Sequence, residues 1–378
     1  MTNYKALKFN IKKMHILQVK KTPYNFNIKK ETAFLTKNIS FNIGHDIILT
    51  TSNIDSRKVK NQEYVSEIDT DFYNKISDGD IIEVLNDGTI NILWEKKLTP
   101  NDITLFITNQ CNANCIMCPQ PPKKDEYSLL DMNMNILNNL KNEPITKIGI
   151  TGGEPILKEN DLLQLLKKSY ELYPLAKIDI LTNAKKLSNF TYAKNLAISN
   201  PNIKFCISFP SDNEDDFNKI LKSNIYSDAI FAIQNLALLR QDIELRVVIV
   251  NQNYKRLLNI SEFIYRNFPF VSHIAFMGME VIGYAYDNYE LIKVSPSEFS
   301  DNLLDAVRFL NQRQMNVSIY NLPYCLLDNR LWRFLRNSIS SWKQNFETEC
   351  NLCTKKNSCS GIFSTTQVKN YNLKSITS

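Results

Sequence analysis

The 378-residue sequence predicts an α/β fold in three parts: a small strand-rich N-terminal domain (1–98), an open or closed α/β barrel (99–315), and a Cys-rich extension (316–378). Three observations predict it. From Pro100 onward, strand-like runs alternate with helix-like runs six times, at roughly 25–45-residue spacing, as in a parallel sheet with helices outside it. Before Pro100 the runs are short and separated by turns. After the last repeat, periodicity fades and four of the eight cysteines appear.

Composition sets the outer bounds. Hydrophobic residues make up 43% and charged residues 22%, ordinary values for a soluble globular protein. Lys and Arg total 45 against 39 for Asp and Glu, and a net charge of +6 gives no reason to invoke nucleic acid. No run of about 18 apolar residues suggests a membrane span. The first residues lack the apolar block of a secretory signal, so a cytoplasmic location is expected. Only three histidines (His15, His45, His273) are present, too few for a His-rich metal site.

The N-terminal region reads most clearly at DGDIIEVLNDGTINILWEKK, where two strand-like runs flank Asn86-Asp87-Gly88, a hairpin turn signal. The first 30 residues hold eight Lys and no acidic residue; this reads as a solvated basic strand face or arm, with a docking surface for an acidic partner as the sharper reading.

In the repeat region, ITLFIT (103–108) precedes a cysteine loop and an amphipathic stretch near 128–142. TKIGIT (146–151) precedes GGEP and a helix near 159–173. AKIDILTN (176–183) precedes a helix near 188–199, and IKFCISF (203–209) precedes helical pieces between 213 and 240. IELRVVIVN (243–251) and HIAFMGM (273–279) lead to helices near 254–267 and 297–313, and a short strand NVSIYN (316–321) follows. In such barrels the residues just past each strand's C-terminal end line the site. The cysteine loop and GGEP both stand there.

The eight cysteines divide as a triplet (Cys111, Cys115, Cys118), a quartet (Cys325, Cys350, Cys353, Cys359) and Cys206. A long chain without a secretory signal favours metal or cluster binding over disulfides. Cys206, in KFCISF, reads as a buried, inert strand residue. The triplet has C-x3-C-x2-C spacing. A structural zinc site wants four ligands, whereas an iron–sulfur cubane accepts three thiolates and keeps one iron open for a ligand.

This loop after a barrel strand resembles the signature of the radical SAM superfamily. The resemblance implies a partial (βα)6 TIM-like barrel, a [4Fe–4S] cluster on Cys111, Cys115 and Cys118, and S-adenosylmethionine chelated at the open iron and cleaved to a 5′-deoxyadenosyl radical. The position before the last Cys, commonly aromatic in that family, is Met117, a flexible apolar residue able to cover the adenine. Gly152-Gly153-Glu154-Pro155 resembles the family's GGE motif: glycines permit close backbone approach, and Glu154 would accept from the cofactor's ammonium group. By the same resemblance Asn183 and Ser208, at strand ends, and Arg246, in strand five, are further cofactor-binding candidates, Ser208 for the ribose and Arg246 for the carboxylate. Glu280 in Met277-Gly278-Met279-Glu280 is the candidate substrate-facing, catalytic carboxylate.

The quartet, C-x2-C-x5-C plus Cys325, resembles the SPASM and twitch extensions that carry auxiliary [4Fe–4S] clusters. The SPASM pattern is incomplete, because Phe363 stands where a further Cys belongs. Four Cys suffice for one centre, either a cluster or a closed zinc site. The strings CIMCPQPP, MGME and CNLCTKKNSCSGIF resemble the C-type radical SAM maturase of the His-Xaa-Ser peptide system. That resemblance implies a precursor-peptide substrate, a second radical SAM maturase, a small accessory protein and an electron donor. A radical SAM enzyme acting on a small molecule, and a non-enzymatic iron–sulfur or zinc scaffold, stay open as alternatives.

Overall fold

The computed structural model describes residues 3–21, 32–37, 46–54, 62–125, 128–340, 343–367 and 372–377. It is a mixed α/β structure with a parallel sheet, the class that the alternation predicts. The chain divides into two compact units, one of Met1–Thr104, Ser128–Ile148 and Lys168–Ala176, the other of Leu105–Tyr127, Gly149–Lys167 and Lys177–Ser378.

The first unit contains β1 (Asn3–Lys5), β2 (Lys8–Asn10), β3 (His15–Lys20), β4 (Thr32–Thr36), β5 (Ile47–Thr50), β6 (Glu63–Ser66), β7 (Ile81–Val84) and β8 (Thr89–Trp94), ordered β1-β8-β7-β3-β4-β5-β6-β2. The edge strands β1 and β2 are separated only by Ala6 and Leu7, so one segment covers both edges of the sheet, which would otherwise be open to pairing. Strands β3 to β6 run parallel. Strands β7 and β8 form the hairpin expected at Asn86-Asp87-Gly88, with Val84 opposite Ile90. Gly88 takes φ +80, and a Cβ there would stand 2.3 Å from the Phe9 ring, so the turn needs glycine. Alternate residues such as Leu17, Val19, Leu35, Ile47, Leu49 and Ile82 fill the core. Helix α1 (Thr70–Lys75), capped by Asp69, adds Phe72 and Tyr73 to it. Two of the N-terminal lysines are neutralised locally, Lys5 by Asp87 and Lys8 by Glu67. Lys29, Lys30 and His45 lie outside the described residues.

The second sheet comprises β9 (Asp102–Phe106), β10 (Lys147–Thr151), β11 (Lys177–Thr182), β12 (Ile203–Ser208), β13 (Asp242–Val248), β14 (His273–Met277) and β15 (Val317–Tyr320), side by side in chain order. Pairing is parallel from β11 through β15. The intervening helices are α2 (Leu129–Asn139), α3 (Glu159–Leu172), α4 (Phe190–Ser199), α5 (Glu214–Leu221), α6 (Tyr226–Leu238), α7 (Leu257–Asn267), the short α8 (Tyr284–Asp287) and α9 (Tyr289–Ile292), and α10 (Pro296–Gln312). Asparagines 189 and 213 cap α4 and α5, and Ser295 with Glu298 forms a capping box on α10.

Register sorts the β11–β15 side chains into two unlike faces. Ile178 and Ile180 align with Ile203, Phe205 and Ile207, then Ile243, Leu245 and Val247, then Ile274 and Phe276, then Val317 and Ile319. All are buried, as expected of a face covered by helices. The opposite face carries Asp179, Lys204, Cys206, Ser208, Glu244, Arg246, His273, Ser318 and Tyr320. Charged groups at period two inside a buried sheet mark that face as the one bearing chemistry. After β15 come short 3₁₀ turns and a small antiparallel pair, β16 (Gln344–Asn345) and β17 (Ile362–Phe363). No helix among the described residues is long and apolar enough to cross a membrane.

Candidate active site

The cysteine loop leaves β9 and is pinned at both ends by one carboxylate. Asp125 accepts from the Thr108 hydroxyl (2.6 Å) and the Asn109 backbone N–H (2.6 Å), and pairs with Lys158 at 3.1 Å. The middle of the loop is tied to distant elements. Asn114 and Ile116 donate backbone N–H groups to Leu221 O (3.2 Å) and Ile220 O (2.9 Å) at the end of α5. Ser223 donates to Asn112 O at 3.1 Å, and Asn288 donates to Ile116 O at 3.1 Å. Gly283 packs so close that a Cβ there would meet Cys118 O at 3.0 Å and Pro119 O at 2.7 Å.

These ties bring the three thiols to one desolvated place. Burial pushes Cys111 up to about 11, with the charges of Glu154 and Cys118 adding to the rise. Burial raises Cys115 further, with Cys118 and Cys111 adding, and raises Cys118. Without a cation these thiols hold their protons; a cationic centre reverses that balance. Three sulfurs that feel one another on a single eight-residue loop fit a three-thiolate centre with one position left over. Met117 is buried beside them.

The second motif docks directly onto this loop. Gly153 N–H donates to Thr108 O (2.7 Å) and Glu154 N–H to Gln110 O (2.8 Å). A Cβ at Gly152 would stand 2.5 Å from Thr108 O, and one at Gly153 would stand 2.2 Å from Gln110 O. Both glycines are therefore required by the approach of the cysteine loop. Glu154 is buried, and its carboxylate accepts from Ile156 N–H (3.2 Å), the Thr182 hydroxyl (2.7 Å) and Asn183 N–H (2.6 Å). It links the ends of β10 and β11. Asn183 in turn donates to Asn112 Oδ1 at 2.7 Å and lies 4.0 Å from Cys111 Sγ. Residues 111, 112, 154 and 183 thus form one hydrogen-bonded corner.

Ser208 and Arg246 sit opposite each other on the polar sheet face. Arg246 Nε donates to Glu244 at 2.6 Å. The fully buried Glu244 also accepts from His273 Nδ1 (2.8 Å) and Lys204 Nζ (3.3 Å), and Lys204 reaches Asp179 at 3.3 Å. Despite its burial, the His273 hydrogen bond and the charges of Arg246 and Lys204 hold the Glu244 carboxyl below the usual range. Cys206 is 1% exposed, in keeping with a buried strand residue. Glu280, the candidate substrate-facing carboxylate, is bound by Lys343 Nζ, 3.0 Å from both oxygens, and by the Thr365 hydroxyl at 2.5 Å. In this structure it ties the end of β14 to the tail.

The quartet also comes together. Cys325, Cys350, Cys353 and Cys359 line one cavity that is partly open to solvent. Gly361 donates its N–H to Cys359 Sγ at 3.4 Å. Burial raises the Cys325 and Cys350 thiols, with neighbouring sulfurs adding. Among the described residues, no three Cys, His, Asp or Glu side chains stand at the spacing of a single bound metal ion.

Sequence reasoning missed Asp125, Asn112 and Lys343. Their partners lie 16 to 111 residues away, in contacts that no local pattern announces.

Comparison with known proteins agrees with this geometry. A family model described as a 4Fe-4S single cluster domain matches residues 102–223. The sequence is 30% identical over 139 residues to GTP 3′,8-cyclase of Petrotoga mobilis, covering 35% of this chain and 41% of the relative. It is 27% identical over 168 residues to the GTP 3′,8-cyclase of Desulforamulus reducens, covering 43% and 49%. The chain spans about half the length of the curated relatives it matches. Among solved structures, Streptococcus suis SuiB bound to S-adenosylmethionine shares the fold, with TM-score 0.50, 19% identity and coverage of 59% of this chain and 52% of that one. SuiB bound to precursor peptide SuiA gives TM-score 0.50, 19% identity and coverage of 58% and 48%. The cluster-domain match covers the cysteine loop and the strand ends around it, and the likeness to SuiB is one of fold.

Proposed function

We propose that this chain is a radical SAM maturase that modifies a ribosomally made peptide of the His-Xaa-Ser repeat type, with 99–315 as its catalytic core. The observation that carries the radical reading is the docking of Gly152-Gly153-Glu154 onto the loop of Cys111, Cys115 and Cys118 at adjacent strand ends. When bound, a [4Fe–4S] cluster and S-adenosylmethionine supply a 5′-deoxyadenosyl radical able to take a hydrogen atom from a substrate carbon. The chain's own part is to hold and shield them. Cys111, Cys115 and Cys118 would hold the cluster. Met117, Gly152, Gly153, Glu154, Asn183, Ser208 and Arg246 would surround the cofactor, and the buried walls exclude water from an indiscriminate radical. Cys325, Cys350, Cys353 and Cys359, which line one cavity, would hold an auxiliary centre, an iron–sulfur cluster or a zinc ion. An external one-electron donor is required.

The peptide reading draws on the resemblance of CIMCPQPP, MGME and the tail string to the His-Xaa-Ser maturase, and on the shared fold with SuiB, itself solved with a precursor peptide. The resemblance also brings a second maturase and an accessory protein as partners. A small-molecule substrate is the second reading, favoured by the similarity to GTP 3′,8-cyclases. The test is anaerobic reconstitution with S-adenosylmethionine, dithionite and a synthetic His-Xaa-Ser repeat peptide. Formation of 5′-deoxyadenosine together with a mass change in the peptide is the expected result. 5′-Deoxyadenosine with an unchanged peptide keeps the radical site and turns the assignment to a small molecule. Neither product overturns both.

A further inference from the structure

The cysteine cavity of the tail has one wall that no motif announced. Besides the cysteines and aromatic residues, it is lined by Leu373, Lys374 and Ile376, from segment 372–377. Three ties hold this segment in place. Ile376 O accepts from Thr354 N–H (2.8 Å) and from the Thr354 hydroxyl (3.0 Å), immediately after Cys353. The Ser375 hydroxyl donates to Glu349 O, immediately before Cys350. Lys374 and Cys325 line the same cavity. The anchors thus flank Cys350-x2-Cys353 on both sides, and the segment reaches across to Cys325.

We propose that segment 372–377 is a strap that closes the cysteine cavity over Cys325, Cys350, Cys353 and Cys359. Cys325 is the quartet member farthest in sequence from the other three, and it has no local turn joining it to them. The strap connects the two halves. Leu373 and Ile376 bring apolar cover, which slows access of solvent and reagents to the sulfurs. The closure follows from these contacts and does not depend on which metal the quartet binds.

The test compares the full chain with a variant ending at Tyr371. In chelator-stripped protein, iodoacetamide labelling is mapped by mass spectrometry, with buried Cys206 as the internal measure of a folded sheet. Loss of the strap is expected to speed labelling of Cys325, Cys350, Cys353 and Cys359 about tenfold, the size of losing one to two hydrogen bonds, while Cys206 stays protected. Equal labelling of the two proteins overturns the strap, whatever metal the quartet binds. Faster labelling in a protein whose quartet takes up neither iron nor zinc upholds the closure and removes only the metal reading.

Discussion

Cys111, Cys115 and Cys118 hang on a loop tied to α5, to the segment around Asn288 and to the Gly152-Gly153 turn. Cys350, Cys353 and Cys359 are held instead by turns of their own: Cys350 N–H donates to Glu347 O, Cys353 N–H to Cys350 O and Cys359 N–H to Lys356 O. The first set takes its geometry from the barrel, so it is only as rigid as the strand ends around it. The second takes its geometry from short-range turns, with Cys325 brought in from outside. The lesson concerns where damage spreads. A change in the barrel is felt at the triplet, whereas the quartet depends on its own few ties.

The largest break of this comparison is removal of the thiols. Ala at positions 111, 115 and 118 together is expected to abolish 5′-deoxyadenosine formation and to halve the iron content, leaving the quartet's share. Ala at 350, 353 and 359 is expected to remove the other half and to spare S-adenosylmethionine cleavage. Iron and sulfide analysis beside product quantitation checks both.

Next in size is the charged face of the barrel sheet. Glu244→Gln leaves Arg246, Lys204 and His273 without their shared carboxylate and is expected to cost about 3 kcal/mol at neutral pH, in the range for breaking a buried pair. The sign with pH follows from its lowered pKa. The carboxylate contributes stability above the ordinary glutamate value of about 4.3 and loses it as pH falls below that. Because that loss runs from about 4.3 down toward the lowered folded value, urea unfolding at pH 7 and pH 3 shows a gap between wild type and variant that narrows on acidification; a constant gap contradicts the role.

A smaller cost, about 2–3 kcal/mol, is expected for Gly153→Ala, whose Cβ meets the Gln110 carbonyl at 2.2 Å and must push the cysteine loop away. Iron loss from the triplet alone, with the quartet's iron retained, separates a loop effect from general unfolding. Lys343→Met, which leaves Glu280 with the Thr365 hydroxyl but without its cation, is expected to cost about 1–2 kcal/mol and to make the tail more sensitive to protease while the barrel stays resistant. Limited proteolysis with fragment mass analysis reads that difference.

Much of this was legible in the chain. Strand-like runs at 103–108, 203–209 and 273–279 become β9, β12 and β14 because β-branched and apolar residues at period two suit a covered sheet. Asn86-Asp87-Gly88 turned where its left-handed glycine allows. The spacing of the triplet predicts three thiols at one place, and the ties of the loop bring them there. Less legible were the closure of the N-terminal sheet by a single segment and the polar network under Arg246. Both depend on pairings between residues dozens of positions apart, which local pattern does not encode.

The sequence by itself determined the alternation, the cysteine spacing and the glycines at 152 and 153, because each is a local property of backbone or ligand type. Tertiary structure alone decided that Glu154 is spent on Thr182 and Asn183, that Glu280 faces Lys343 and that segment 372–377 covers the quartet. In each case a short polar group or backbone amide found its partner only once packing had excluded water, and burial then made leaving it unpaired too costly.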